Sequence, residues 1–459
     1  MIARNSIAVI GVTVLASFVG FSSSSVHAET LAEALTEAYG TNPDLVAERA
    51  RVRAVDEQVP QALSNWRPQL FLSGRYGVRR IDRESGAGVD TERTDVPRSI
   101  GLAITQNLFR GFRTQAETER AQNRVAAARS NLIGTEQNVL LEGVVGYVTV
   151  LRDTAVLELR TNNVGVIEQQ LQATRDRFEV GELTRTDVAQ AESRLARAVA
   201  DRTTAEANLE TARAAYRKAI GRDPQQLQIP DLPPNLPSSE ADALAAAANN
   251  NPNVVFADFN ERAARADIEL RKGELLPTLT LDATIDREKD VVGSDVKDTE
   301  SAITARLSVP LYQSGAVYSR IREAKQTASQ RLSELALSKR EAEQDASDAW
   351  ENFRASQARI TSFESEVRAQ EVAFEGVQQE AQVGSRTVLD VLDAEQELLD
   401  ARVNLVSARR DLIVSGYGLL AAIGKLTAQD LDLAVDLYDP TRNFGTVRDK
   451  FFGSDIEDE

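Results

Sequence analysis

The stretch VGSRTVLDVLDAE, residues 383–395, restates a pattern the chain has already used in VGELTRTDVAQAE, residues 180–192. The pairs Gly181/Gly384, Thr184/Thr387, Asp187/Asp390, Val188/Val391, Ala191/Ala394 and Glu192/Glu395 are each 203 residues apart. In both copies Thr-x-x-Asp fits a capping box, with the threonine as N-cap and the acid at the third helical position. An acid in the first turn also suits the helix dipole. The second copy adds Asp393, one turn beyond Asp390 on nearly the same helix face, where the first copy has Gln190. Like charges stacked in this way disfavour a helix slightly, so capping alone does not account for Asp393.

The repetition extends far beyond the turns. Asn42-Pro43 matches Asn251-Pro252 and Pro68 matches Pro277, both 209 residues apart. Leu108-Phe109 matches Leu311-Tyr312, and Ile220-Gly221 matches Ile423-Gly424, both 203 apart. The first copy therefore carries six extra residues between Pro68 and Leu108, and a length change confined to one place marks a surface loop. Matched glycines, acids and spacings on this scale define an internal duplication. Five of the thirteen prolines fall within 222–237, which reads as an extended connector between a first repeat at 29–221 and a second at 238–428. An acidic tail at 429–459 ends in GSDIEDE and reads as solvated or disordered.

Each repeat combines strands with long helices. Leu279, Leu281, Ala283 and Ile285 alternate with polar residues over 278–286, as do Ile303, Ala305, Leu307 and Val309 over 301–309. The first repeat carries Leu70, Leu72, Tyr76 and Val78 within about 68–80, then Ile100, Leu102 and Ile104 within about 98–108. A two-residue period in strands of this length suits a membrane β-barrel and equally a pair of half-buried soluble hairpins. The polar stretches 82–95 and 287–300 are expected to be water-exposed loops. Proline-free runs at about 111–180 and 313–382 predict helices of roughly 105 Å. Return helices are expected at 186–220 and 388–423, after the turns at 181–187 and 383–390. Their seams run Val188, Ala191, Leu195, Ala198 and Val391, Ala394, Leu398, Ala401, and onward in alternating steps of three and four. That is a coiled-coil repeat. A helix over 43–65, capped by Asn42 with Pro43 at its first position, is expected to continue the return helix end to end along the long one. The fold class is thus α+β, with long antiparallel coiled-coil helices and, on the membrane reading, four transmembrane strands per chain.

Composition narrows the function. Residues 1–28 have one charge, Arg4, an apolar run at 7–21 and a small-residue site at Val26-His27-Ala28, the pattern of a secretory signal peptide. Without that segment the chain has no Cys, His or Met, hence no thiol nucleophile, imidazole base, or usual zinc or copper ligand. No catalytic residue, cofactor site or metal site is expected, and the chain is not expected to be an enzyme. A formal charge of −17 argues against nucleic acid. Four strands leave two open edges, which lipid does not tolerate, so membrane strands would have to close a barrel between subunits.

These features resemble the TolC-like outer-membrane channel-tunnel family. The likeness spans 29 to about 430 and rests on the duplicated plan, the NP openings, VPLYQSGAV at 309–317, and above all LTRTDVAQAE and RTVLDVLDAE at the two turns. It implies a homotrimer whose twelve-stranded barrel continues into a helical tunnel, set in the Gram-negative outer membrane and extending into the periplasm. It further implies a passive exit duct for type I protein secretion or multidrug efflux. The duct would dock by its tip to a periplasmic adaptor and to an inner-membrane ABC or proton-driven transporter. By the same likeness Asp390 and Asp393 form the entrance selectivity rings, and rings of carboxylates select cations. Arg386, Thr186 and Asp187 fall on the polar links that hold the entrance closed. Ala381 stands where the family has a tyrosine in those links, a departure that alters how closure is held. A soluble periplasmic coiled-coil adaptor is the alternative with similar helices. The four lipid-compatible strands and the lack of an inner-membrane anchor weigh against it.

Overall fold

The computed structural model describes residues 28–83, 86, 91–293 and 295–456. The expected signal peptide, with Met1 and His27, lies outside the described residues save for Ala28. The two long proline-free runs are α4 (Arg113–Glu179) and α8 (Ala316–Gln382), of 67 residues each, about 100 Å long. Each reverses at a polar turn into a return helix, α5 (Arg185–Ile220) or α9 (Val388–Ala422). Among the described residues, no helix is long and apolar enough to cross a membrane.

Beyond the end of each return helix a shorter helix takes its place along the long one. Helix α2 (Pro43–Asp56) follows α5, and α7 (Pro252–Gly273) follows α9. The joints are built alike. The Asn42 side chain accepts from the Asp44 N–H and donates to the Ala219 carbonyl at 3.1 Å, serving both helix ends. Asn251 does the same for Asn253 and Ala422. The single helix expected over 43–65 is broken, however, into α2, α3 (Gln58–Leu63) and a 3-10 turn at Ser64–Trp66. Pro60 lacks the N–H that would reach back to Asp56, and its ring crowds that carbonyl. The matching position in the second repeat is Glu269, and α7 runs unbroken. Two short helices that the repeat pattern did not mark, α1 (Leu31–Thr41) and α6 (Glu240–Asn250), lie near mid-length. Tyr147, Tyr216, Leu35, Leu45, Leu140, Ile220, Leu419 and Ile423 are fully buried there in the largest core.

The strands form one antiparallel sheet of order β1-β4-β5-β6. Its members are β1 (Gln69–Tyr76), β4 (Arg98–Phe109), β5 (Thr278–Lys289) and β6 (Lys297–Ser308). The two repeats join edge to edge through β4 and β5, which leaves β1 and β6 open. Leu70, Ile104, Ala283 and Ile303 are cross-strand partners in one row, and Leu72, Leu102 and Ile285 in the next. Most apolar residues of the four strands therefore share one face, where they are exposed or half-buried in the single chain, while Phe71 opposes Ala103 on the other face.

Two loop expectations need correction. The stretch 82–95 is not simply loop, since β2 (Arg79–Arg83) and β3 (Thr91–Asp95) pair as a separate two-stranded ribbon, and Val78 sits in the break before it. In the second repeat the strands run on through 287–289 and 297–300, so most of the expected loop is ladder. Alternation of apolar with polar ends near Ile285, but alternation of opposite charges continues, and the ladder follows the backbone rather than hydropathy.

Where β4 enters α4, Gly111 has φ +62° and packs directly against the Gly273 carbonyl, so a Cβ would overlap it. The tail also departs from the expectation of a solvated or disordered segment. Its short helix α10 (Arg442–Val447) lies against α2, with Asn443 donating to Asp56 at 2.9 Å and Phe444 in the cluster of Val59, Ala121 and Val125. Farther along, Arg67 donates to the Lys450 carbonyl at 2.8 Å and stacks on Phe451. The acidic composition of the tail concealed the aromatic anchors that hold it.

Candidate functional site

The two polar turns join the helices of the long hairpins, α4 to α5 and α8 to α9, and their construction is the same. Helix α4 ends with Gly181 at φ +82°, and the Glu182 N–H reaches back to the Arg177 carbonyl at 3.0 Å. Helix α8 ends with Gly384 at φ +82°, and the Ser385 N–H reaches the Glu380 carbonyl at 3.0 Å. This left-handed closure satisfies the last carbonyls of each helix and favours glycine. Three residues after each glycine, a threonine N-cap opens the next helix with a complete capping box. The Thr184 N–H donates to Asp187 Oδ2 at 2.9 Å, and the Asp187 N–H donates to the Thr184 hydroxyl at 3.3 Å. Thr387 and Asp390 reproduce this at 2.9 and 3.2 Å. The backbone N–H donated to each carboxylate holds both acids below the usual carboxylate range.

Each turn also carries an internal ion pair. Arg177 meets Glu182 at 3.1 Å in the first, and Arg386 meets Glu380 at 2.9 Å in the second. Among the described residues no hydrogen bond or ion pair joins Arg386 to Thr186 or Asp187; Arg386 pairs with Glu380 and Asp187 with Thr184.

Asp393 behaves differently from Asp390. It pairs with Arg194 of α5, tying the second hairpin to the first, while about half of its side chain remains exposed. Beside it Leu392 is buried against Val164, Ile167, Leu171, Ala191 and Ala198, where the small residues of the α5 seam leave room. Farther from the turn, Arg160 lies 3.5 Å from both Asp201 and Asp400, again spanning the two hairpins. Glu395 lies on the same stripe of α9 as Leu392 and Leu399, three and four residues away, and is buried without a hydrogen-bond or ion-pair partner among the described residues. Desolvation alone pushes its carboxyl up to about 7. Its counterpart Glu192 is half-exposed and paired with Arg175 at 2.7 Å.

Arg160, Arg194 and Glu395 were not singled out by sequence reasoning. The duplication aligns Glu395 with Glu192 and so hides the difference in their surroundings. Helix α9 packs extensively on both α8 and α4 of the first hairpin, whereas α5 packs extensively on α4 alone. Among the described residues no group of acids, histidines or cysteines could hold a metal ion.

A family model described as outer membrane efflux protein matches residues 34–222 and 243–425. The chain belongs to the outer membrane efflux protein family. Outer membrane efflux protein BepC of Brucella suis is 34% identical over 426 residues, covering 93% of this chain and 92% of BepC. Outer membrane protein TolC of Vibrio cholerae is 30% identical over 424 residues, covering 90% and 94%. The fold matches the Campylobacter jejuni CmeC outer membrane channel with a TM-score of 0.78 at 15% identity, covering 91% of this chain and 89% of CmeC. Membership places the chain in the Gram-negative outer membrane, in a family of transport proteins rather than enzymes. It also gives a context for the apolar sheet face, much of which is exposed among the described residues.

Proposed function

We propose that the chain is one subunit of a trimeric exit duct for type I protein secretion or multidrug efflux. The observation that carries this reading is a four-stranded sheet with one mainly apolar face and two open edges, joined through the short connections 110–112 and 309–315 to helices about 100 Å long. In a bilayer, open edges at β1 and β6 leave backbone groups unsatisfied, and pairing β1 of one protomer with β6 of the next removes them. Three copies close a twelve-stranded barrel, and the helical hairpins below it close a tunnel that ends at the two polar turns.

On this reading Asp390 and Asp393 face the axis at the entrance as two stacked rings. Asp390 is kept ionised by its capping bonds, and Asp393 is positioned by Arg194. Arg386, Thr186 and Asp187 meet across the boundary between neighbouring protomers and hold the entrance closed. The tip docks to a periplasmic adaptor and an inner-membrane ABC or proton-driven transporter, which supply the energy the duct itself lacks.

Planar-bilayer recording tests the reading. The purified protein should form trimers by native mass spectrometry and give discrete cation-selective channels. Asp390→Ala/Asp393→Ala should abolish selectivity and block by trivalent cations, and Arg386→Ser should raise conductance. Absence of channels from folded trimer would refute the duct, whereas channels with unaltered selectivity in the double variant would refute only the acidic rings.

A further inference from the structure

The charged ends of β5 and β6 sort their charges by face. The sequence Asp286-Arg287-Glu288-Lys289 alternates sign, and Lys297-Asp298-Thr299-Glu300 continues the pattern on the partner strand. Cross-strand pairing joins Asp286 with Glu300 and Glu288 with Asp298, so the acids share the polar face. It joins Arg98 with Lys289 and Lys289 with Lys297, so these cations share the apolar face. Tyr76 opposes Arg98 on β1 and completes a row across all four strands, Tyr76–Arg98–Lys289–Lys297. Arg287, opposite Ile100, lies on the same face two residues nearer the apolar band.

Direct neighbours in a sheet are about 5 Å apart, and like charges placed there repel. Yet among the described residues no carboxylate pairs with Arg98, Arg287 or Lys297. Lys289 has only Asp295 at 3.7 Å, and that side chain is almost fully exposed in the turn. The ribbon arginines are different, because Arg79 and Arg93 share Asp95 and Arg80 pairs with Glu92. Arg98, Ile100, Arg287, Lys289 and Lys297, together with Ser99 and Glu288 of the alternate positions, line an open groove of about 420 Å³. At about 3.4 Å per residue, Arg287 and Lys289 stand about 7 and 14 Å beyond Ile285 along the strand. With a barrel tilt near 40° that is about 5 and 10 Å above the apolar band, the height of lipid headgroups, where interfacial tyrosines also belong.

From this row we infer that the lipid-facing rim of the barrel binds the phosphorylated sugar headgroup of the outer-leaflet glycolipid. The phosphate oxygens supply the missing counter-charge to Arg98, Arg287 and Lys297, and guanidinium groups suit them as bidentate donors. The inference rests on the duct reading only in taking the apolar face as the lipid side and the hairpin turns as the cell-exterior end.

The test uses full-length trimer in nanodiscs of phosphatidylcholine containing bis-phosphorylated lipid A, its dephosphorylated form, or phosphatidylglycerol, with retained lipid counted by mass spectrometry after detergent exchange. Wild type should retain the bis-phosphorylated lipid at least tenfold over the other two, and Arg98→Gln/Arg287→Gln/Lys297→Gln should lose that excess. The polar-face variant Asp286→Asn/Glu288→Gln should keep it, and millimolar inorganic phosphate should not displace it. Equal retention of the dephosphorylated lipid or phosphatidylglycerol, undiminished retention by the triple variant, or displacement by free phosphate would overturn the inference. Channel conductance of the same variants reports barrel closure separately, so a conducting triple variant that still retains the lipid refutes the rim site and not the duct.

Discussion

Glu395 should make the contact between the two hairpins of each subunit looser as the pH rises. Its carboxyl is raised from 4.5 to about 7 by burial between the turns that carry Leu392 and Leu399. The neutral form therefore belongs to the packed tip, and the exposed, opened tip ionises at the ordinary value. Between those two values the packed state holds one more proton than the opened state, so its stability falls as pH rises through the window and levels off above about 7. At about 1.4 kcal/mol per tenfold change, the loss from pH 5 to pH 8 is about 3 kcal/mol, or roughly 100-fold in the opening equilibrium. The capping carboxylates of Asp187 and Asp390 titrate below this window and have the opposite sign, since their bonds are lost as pH falls. Hydrogen exchange of peptides spanning 388–399 in the detergent-solubilised trimer, corrected for the intrinsic pH dependence of exchange, reads the opening directly. Wild-type protection should fall by about two orders of magnitude from pH 5 to pH 8, and Glu395→Gln should be flat. A flat wild-type profile, or the same slope in Glu395→Gln, would refute the reasoning.

Four other substitutions probe the tip and the frame that carries it. Thr387→Ala removes the hydroxyl that accepts from the Asp390 N–H and leaves the backbone half of the second capping box, and it should speed exchange at the start of α9 about fivefold, with Thr387→Ser close to wild type. Gly111→Ala places a Cβ on the Gly273 carbonyl and should lower barrel stability by about 1–3 kcal/mol, seen as earlier loss of the folded band on heating in detergent. Gly165→Ala, which meets nothing within 4 Å in mid-helix, should instead stabilise α4 by about 0.5–1 kcal/mol. Tyr216→Phe deletes a 2.6 Å hydrogen bond to buried Glu29 and should weaken anchoring of the segment before α1 by about 1–2 kcal/mol, measurable as faster proteolysis near residue 29.

The repeat, the strand hairpins, the long helices and the capped turns were legible in the residues because each follows from local rules. These are a two-residue or seven-residue period, a proline that excludes helix, and a threonine and an acid at capping distance. Even the break at Pro60 and the extension of β5 through Lys289 obey such rules once hydropathy is set aside. What the sequence alone left undetermined was which faces meet. Asp393 and Arg194 are 199 residues apart, and only the packing of one hairpin on the other makes them a pair. Glu192 and Glu395 occupy the same place in two copies of one motif, yet one is solvated and paired while the other is buried alone. Local spacing determines which residues share a helix face or a strand face. Burial and pKa depend on the element that comes to lie against that face, and this tertiary structure alone decided.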